Sequence, residues 1–267
     1  MKIALMDSGI GLLPAAAAVR RLRPDADLVI SSDPDGMPWG PRTPQDLTER
    51  ALAVAEAAAA HRPDALIVGC NTASVHALPA LRALLEPGLP VIGTVPAIKP
   101  AASGGPFTIW ATPATTGSPY QRGLIEEFAD GVPVTEVPCW GLAEAVEHAD
   151  DAAIDAAIAA AAALTPTDVT TVVLGCTHYE LVAERIRAAV QQPGLPPLVL
   201  HGSAGAVAAQ ALRRIGELPK PEADWTGSTL TVILSGREGS LPAPALAYEE
   251  GRLLGTAGAT TAVIAER

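Results

Sequence analysis

The sequence predicts an α/β protein of two pseudo-symmetric lobes, each a mostly parallel sheet flanked by helices, with an active site in the inter-lobe cleft. Three observations predict it. Short apolar, β-branched runs alternate with helical patterns along the chain, the signature of βαβ units and parallel sheets. The order strand, polar turn, helix, strand, loop, helix, strand, Gly-Cys turn, helix occurs once before Pro96 and again after Gly105. Two of the three cysteines, Cys70 and Cys176, fall in the matching Gly-Cys turns, at the carboxyl ends of buried strands, where open α/β sheets keep their chemistry.

The chain has 267 residues, 49% of them hydrophobic, enough for one large or two medium packed domains. The expected division is a first lobe of residues 1–97 plus 207–267 and a second of 98–206. A strand at Ile3 to Met6 meets Asp7 too early for the apolar core of a signal peptide. No window offers the uninterrupted apolar span of a membrane helix, and the alanine-rich tract Ala156 to Leu164 is short and flanked by aspartates. These features predict a cytoplasmic protein with no membrane partner and with free thiols. The net charge of −11 argues against a nucleic-acid partner, because phosphate binding relies on clustered Lys and Arg.

In chain order, the first strand runs into Asp7-Ser8-Gly9-Ile10-Gly11, a glycine turn feeding a helix that ends near Arg23. A strand over Asp27 to Ser32 leads into a Pro- and Gly-rich loop containing Pro38-Trp39-Gly40. Thr43-Pro44 reads as a cap followed by proline at the first helical position, starting a helix to about His61. Ala65 to Val68 is the strand before Cys70, and one helix should follow it to Leu85. Val91 to Val95 closes this half, and the prolines and glycines up to Gly105 read as a linker. The second half repeats with a strand at Phe107 to Ala111, a polar turn at Thr112 to Thr116, a helix from Pro119 to Phe128 and a strand at Val132 to Val137. After a helix start or irregular segment at Trp140 to His148 comes the alanine-rich helix, then a strand at Val169 to Leu174 before Cys176 and a helix from Tyr179 to Val190. Leu198 to Leu200 is a strand and Ala204 to Ile215 a helix. The tail reads as a strand at Thr229 to Leu234, a proline-rich loop, a short helix at Pro244 to Leu254 and a last apolar run at Thr260 to Ile264.

Two cysteines on opposite walls of one cleft suit a proton transfer between the two faces of a stereocentre: one thiolate abstracts and the opposing thiol donates. A free thiol has a pKa of roughly 8.5 and needs help to ionise. Asp7, at the end of a neighbouring strand, is placed to assist Cys70, and His178, two residues after Cys176, to assist the other. Ser8, Asn71, Thr72, Thr112, Thr115 and Thr177 offer donors for a carboxylate, supplemented by helix N-termini. A single Gly-Cys at a strand end is more often packing than catalysis; the pairing in matching turns reverses that weighting. No Cys-x-x-Cys or His-x-x-x-His spacing supports a metal site. The first turn differs in spacing from Gly-x-Gly-x-x-Gly, which disfavours a nucleotide cofactor. Cys139 lacks a comparable turn and reads as structural, and His61, His76, His148 and His201 read as surface or helix-end residues.

These motifs, together with Pro38-Trp39-Gly40 and Ala111-Thr112-Pro113-Ala114-Thr115, resemble the cofactor-independent glutamate racemases of the aspartate/glutamate racemase superfamily over roughly residues 1–210. The resemblance implies a two-base exchange of the Cα proton of glutamate by Cys70 and Cys176, assisted by Asp7 and His178, with Glu147 near the histidine. It implies substrate contacts from Ser8, Asn71, Thr72 and Thr177, from the Pro38-Trp39-Gly40 loop, and from Thr112 and Thr115, with no cofactor and no metal. A role in supplying D-glutamate for peptidoglycan and a homodimeric state are further implications. There are three departures from the family pattern: Leu12 replaces a glycine, Trp39 replaces a tyrosine beside the expected substrate, and His201-Gly202-Ser203 replaces a more acidic turn. The alternatives are the same chemistry on aspartate, a hydantoin or another small substrate, and a weakly catalytic relative that binds an amino acid or inhibits a partner.

Overall fold

The computed structural model describes residues 1–258. They form two compact units, one of Met1–Thr94 with the described residues from Ala204 onward, the other of Val95–Ser203. The expected apolar run at Thr260 to Ile264 lies outside the described residues.

The first unit is built on a six-stranded sheet. β1 (Lys2–Asp7) is central, paired in parallel with β2 (Asp27–Ser32) and β3 (Ala65–Val68). β4 (Val91–Gly93) extends one side and β9 (Leu230–Leu234) the other, both parallel. The edge strand β10 (Arg237–Gly239) is antiparallel to β9. α1 (Leu13–Leu22) packs with α10 (Ala204–Arg214) and α11 (Glu249–Gly258). α2 (Pro44–Ala59) lies on β1 and β2 and meets α3 (Asn71–His76) and α4 (Leu78–Leu85). Leu47, Ala51, Val54 and Ala55 of α2 bury their apolar stripe against Ala4, Met6, Leu66 and Val68. The Thr43 hydroxyl caps α2 by accepting from the Asp46 N–H at 3.3 Å.

The second unit has four parallel strands in the order β6, β5, β7, β8: Val134–Pro138, Phe107–Ala111, Thr171–Leu174 and Val199–His201. α5 (Ile98–Ala102) meets β7 and α6 (Pro119–Phe128), and α7 (Leu142–Glu147), α8 (Asp151–Ala163) and α9 (Ala183–Val190) form a second packed group. Ile98, Phe107, Ile109, Ala129 and Val173 form a core. The order β6-β5-β7-β8 matches β2-β1-β3-β4 of the first unit strand for strand. The repeat read in the sequence is therefore a repeat of topology.

Several elements differ from the sequence reading. The helix expected from Cys70 to Leu85 is two helices, broken at Ala77, with Pro79 in the first turn of the second, where proline is tolerated. β4 stops at Gly93, leaving Val95 exposed outside the sheet. The expected linker contains α5, whose Pro100 lies within the first turn and so removes no intrahelical hydrogen bond. The proline-rich loop after β9 holds β10, reached through Ser235 and Gly236, both at positive φ (47° and 77°), as a tight two-residue hairpin turn requires. The segment after Cys176 begins as a 3₁₀ turn, Thr177–Val182, before α9.

Candidate functional site

Each cysteine sits where the repeat puts it. In the first unit the Gly69 N–H donates to the Met6 carbonyl at 2.8 Å, and in the second the Gly175 N–H donates to the Trp110 carbonyl at 2.7 Å. These bonds lash the end of β3 to β1 and the end of β7 to β5. Both glycines are closely packed: a Cβ on Gly69 would lie 3.1 Å from Leu12 Cα, a tight contact, and one on Gly175 would lie 2.9 Å from the Trp110 carbonyl, closer than a Cβ can sit. Cys70 and Cys176 follow with nearly the same backbone, φ/ψ of −135°/119° and −137°/135°, each the residue before a helical turn. Both are buried and neither forms a disulfide. The positive end of a helical turn favours a thiolate there.

Around Cys176 the second unit assembles a hydrogen-bonded chain. Cys176 Sγ stands 3.8 Å from His178 Nδ1, and His178 Nε2 is 2.9 Å from Glu147 Oε2 at the end of α7. The His178 side chain is 6% exposed and that of Glu147 13%, so both bonds are sheltered from water. With Nε2–H donating to the carboxylate, Nδ1 presents a lone pair to the thiol. That arrangement can take the thiol proton and hold the resulting imidazolium against Glu147.

Beside Cys70 the other predicted residues occupy the ends of β1 and α3. Asp7 is buried at the end of β1, and its Oδ1 accepts from the Ser8 N–H at 2.6 Å and from the Ser8 hydroxyl at 3.2 Å. Asn71 is buried and Thr72 partly buried in the first turn of α3. Ser74 Oγ accepts from the Thr94 N–H at 2.9 Å, while the Thr94 hydroxyl donates to the Val68 carbonyl at 2.7 Å, bracing the strand end before Cys70. In the second unit Thr177 is buried, and Thr112 and Thr115 share a hydroxyl contact of 3.2 Å in the turn after β5.

The Asp/Glu/Hydantoin racemase family model matches residues 13–209. A glutamate racemase of Roseiflexus sp. (strain RS-1) is 38% identical over 192 residues, 70% of each chain. That of Granulibacter bethesdensis is 38% identical over 219 residues, 79% of this chain and 77% of its own. The Escherichia coli glutamate racemase, solved with L-glutamate and the activator UDP-MurNAc-ala, superposes with a TM-score of 0.78 at 28% identity, covering 96% of this chain and 95% of its own. The chain belongs to the Asp/Glu/Hydantoin racemase family.

Against the family pattern, the departures read in the sequence now have locations. Leu12 is buried, and its backbone packs on Gly69 beneath the Cys70 turn. Pro38 is exposed and Gly40 partly buried, whereas the Trp39 side chain is 2% exposed within the core of the first unit. The Trp39 indole N–H donates to Asp33 Oδ2 at 3.0 Å, which also accepts from Arg50 Nη1 at 3.1 Å; Asp33 Oδ1 accepts from the Ser235 hydroxyl at 3.1 Å. Asp33 thus organises the Pro38-Trp39-Gly40 loop, a role the sequence reading missed. Its place directly after β2 was the available signal.

Cys139 is buried, and burial pushes its thiol up to about 12, with the nearby Cys176 a second cause. It is therefore protonated at neutral pH. Its neighbour Tyr179 is fully enclosed and donates to the Cys139 carbonyl at 3.4 Å; burial raises that hydroxyl well above its ordinary value. Among the described residues no group of three His, Cys, Asp or Glu side chains is arranged to hold a metal ion, and no helix is long and apolar enough to cross a membrane.

Proposed function

We propose that this racemase interconverts L- and D-glutamate by a two-base proton transfer at Cα. In one direction the Cys176 thiolate removes the α-proton from one face and the Cys70 thiol delivers its own proton to the other. In the reverse direction the roles exchange. His178 takes the Cys176 proton to generate the thiolate, and Glu147 steadies the cation so formed; Asp7 assists Cys70. The α-carboxylate and amine are held by Ser8, Asn71, Thr72, Thr112, Thr115 and Thr177, with backbone of the Pro38-Trp39-Gly40 loop. The observation that carries this reading is the Cys176–His178–Glu147 chain, with a second cysteine at the equivalent turn of the repeated fold.

Glutamate as substrate is supported by the relatives, which are glutamate racemases at 38% identity. On this reading the enzyme is a cytoplasmic homodimer that supplies D-glutamate to peptidoglycan synthesis. The test is solvent-deuterium incorporation at Cα, measured with each enantiomer of glutamate and of aspartate. Exchange with glutamate is expected; exchange with aspartate alone would move the assignment to the other amino acid. Cys70→Ala and Cys176→Ala should each lose roughly 10²- to 10⁴-fold in turnover, the range of acid–base catalysis. Full turnover in Cys176→Ala would overturn the two-base scheme.

A further inference from the structure

Glu180 lies in the same 3₁₀ turn as Thr177 and His178. Its Oε1 accepts from the Ser203 N–H at 2.7 Å and from the Ser203 hydroxyl at 3.0 Å. A Cβ at position 202 would lie 2.4 and 2.5 Å from Oε2 and Cδ of Glu180, so a side chain there would push the Glu180 carboxylate aside. The same pair of donors meets one carboxylate oxygen elsewhere in the chain: Asp7 Oδ1 accepts from the N–H and hydroxyl of Ser8 at 2.6 and 3.2 Å. At Asp7-Ser8 the carboxylate comes from the preceding residue. At Gly202-Ser203 the preceding residue has no side chain, and Glu180 reaches across to occupy the space.

We propose that Glu180 is a positioning residue for the His178 turn, and that an aspartate at position 202 can take over its task. The inference rests on the two-base reading of Cys176 and His178. Glu180 pins the forward end of the 3₁₀ turn to the residues after β8, while His178 is held at its ring by Glu147. The Sγ···Nδ1 separation of 3.8 Å leaves little slack, and a displacement of about 1 Å at a reacting group can cost on the order of 10²-fold in rate. Release of the turn therefore weakens proton transfer at Cys176 without removing a group that holds the substrate.

Four variants test this beside the parent enzyme: Glu180→Ala, Gly202→Asp, the double variant, and Cys176→Ala. Glu180→Ala is expected to lower kcat about tenfold with KM within about twofold, less than the loss for a full displacement of about 1 Å because Glu147 still holds the ring. Gly202→Asp alone should also be slow, because its side chain collides with the Glu180 carboxylate and places a like charge beside it. The double variant should recover most of the parent kcat, so that the same substitution harms one background and repairs the other. Thermal melting of each variant shows whether it is folded at the assay temperature. If Glu180→Ala is not, Ser203→Ala, which removes only the hydroxyl donor, is read in its place and should lower kcat with KM unchanged. Wild-type kcat in Glu180→Ala, or a folded double variant no faster than the single, overturns the proposal. Full turnover in Cys176→Ala would instead overturn the two-base reading itself.

Discussion

Glu147→Gln isolates the charge behind the proposed relay. Glutamine keeps the shape of the side chain and an oxygen able to accept from His178 Nε2, so the 2.9 Å contact can persist while the negative charge is lost. A hydrogen bond to a charged group contributes roughly 1.5–3 kcal/mol and a neutral one roughly 0.5–1.5 kcal/mol. The difference, about 1–1.5 kcal/mol, corresponds to about a tenfold fall in the rate of a step that forms the imidazolium. Solvent screening does little to reduce it, because the two side chains are only 6% and 13% exposed. The assay follows racemisation by polarimetry or circular dichroism from each enantiomer. Enantiomers have equal free energy in water, so kcat/KM must fall by one factor in both directions, whichever base is damaged. The directions separate in the primary isotope effect with α-deuterated substrate, which should rise for the enantiomer whose proton Cys176 removes. A kcat/KM within twofold of wild type, or an isotope effect raised equally in both directions, would refute the placement of this charge behind one base alone.

Two further outcomes follow from the packing and the ion pairs. Gly175→Ala drives a methyl to 2.9 Å from the Trp110 carbonyl and 3.1 Å from Ala111 Cβ; the resulting overpacking should cost about 1–3 kcal/mol in urea denaturation and slow turnover by shifting Cys176, and an unchanged midpoint would contradict it. Asp25 is held at about 2, chiefly by its bond to the Arg23 guanidinium, against 3.8 for a free carboxyl. A folded value below the unfolded one means stabilisation present above about pH 4 and lost as pH falls toward 2. With the side chain 36% exposed, solvent screening reduces its worth to about 1 kcal/mol. The stability gap between wild type and Asp25→Asn should shrink between pH 7 and pH 3; a gap that stays constant would exclude the ion pair as its source.

Strands Asp27–Ser32, Ala65–Val68 and Phe107–Ala111 and helix Pro119–Phe128 were legible to the residue because a β-branched run or a Ser/Thr-Pro start marks each boundary. The misses share a cause. α5 was hidden because Pro96, Pro100 and the following glycines look like breakers, yet a proline in a first turn breaks nothing. β10 carries Arg237-Glu238-Gly239, exposed charges with no alternation, and its pairing comes from the Ser235-Gly236 turn and its antiparallel partner β9. At the site, Cys70, Cys176 and His178 could be read from local pattern, since each lies in or beside a Gly-Cys turn. The contact of Glu147 with His178 spans 31 residues, and only the resemblance to a family brought it into the sequence reading. Trp39 shows the opposite limit: a motif position fixed the residue as part of the loop, but only the Asp33 bond and the surrounding core reveal that its indole points inward.

The two cysteine turns are alike in backbone and unlike in their neighbours, and the division has a physical origin. The backbone is set by the sheet: a glycine N–H reaches the carbonyl of the central strand, and the space there is tight for a Cβ in both units. In both units the next residue is delivered at nearly the same φ and ψ. The helpers are free of it. Cys176 has a buried imidazole backed by a carboxylate from another helix, whereas the first unit offers the Asp7 carboxylate and the amide of Asn71. On the two-base reading proposed above, such inequality is tolerated because the two resting forms differ only in which cysteine is protonated. Unequal helpers set which form predominates, while the equal energies of the two enantiomers fix the ratio of kcat/KM in the two directions. On that reading, unlike surroundings for two like turns change speed without changing the equilibrium between the enantiomers.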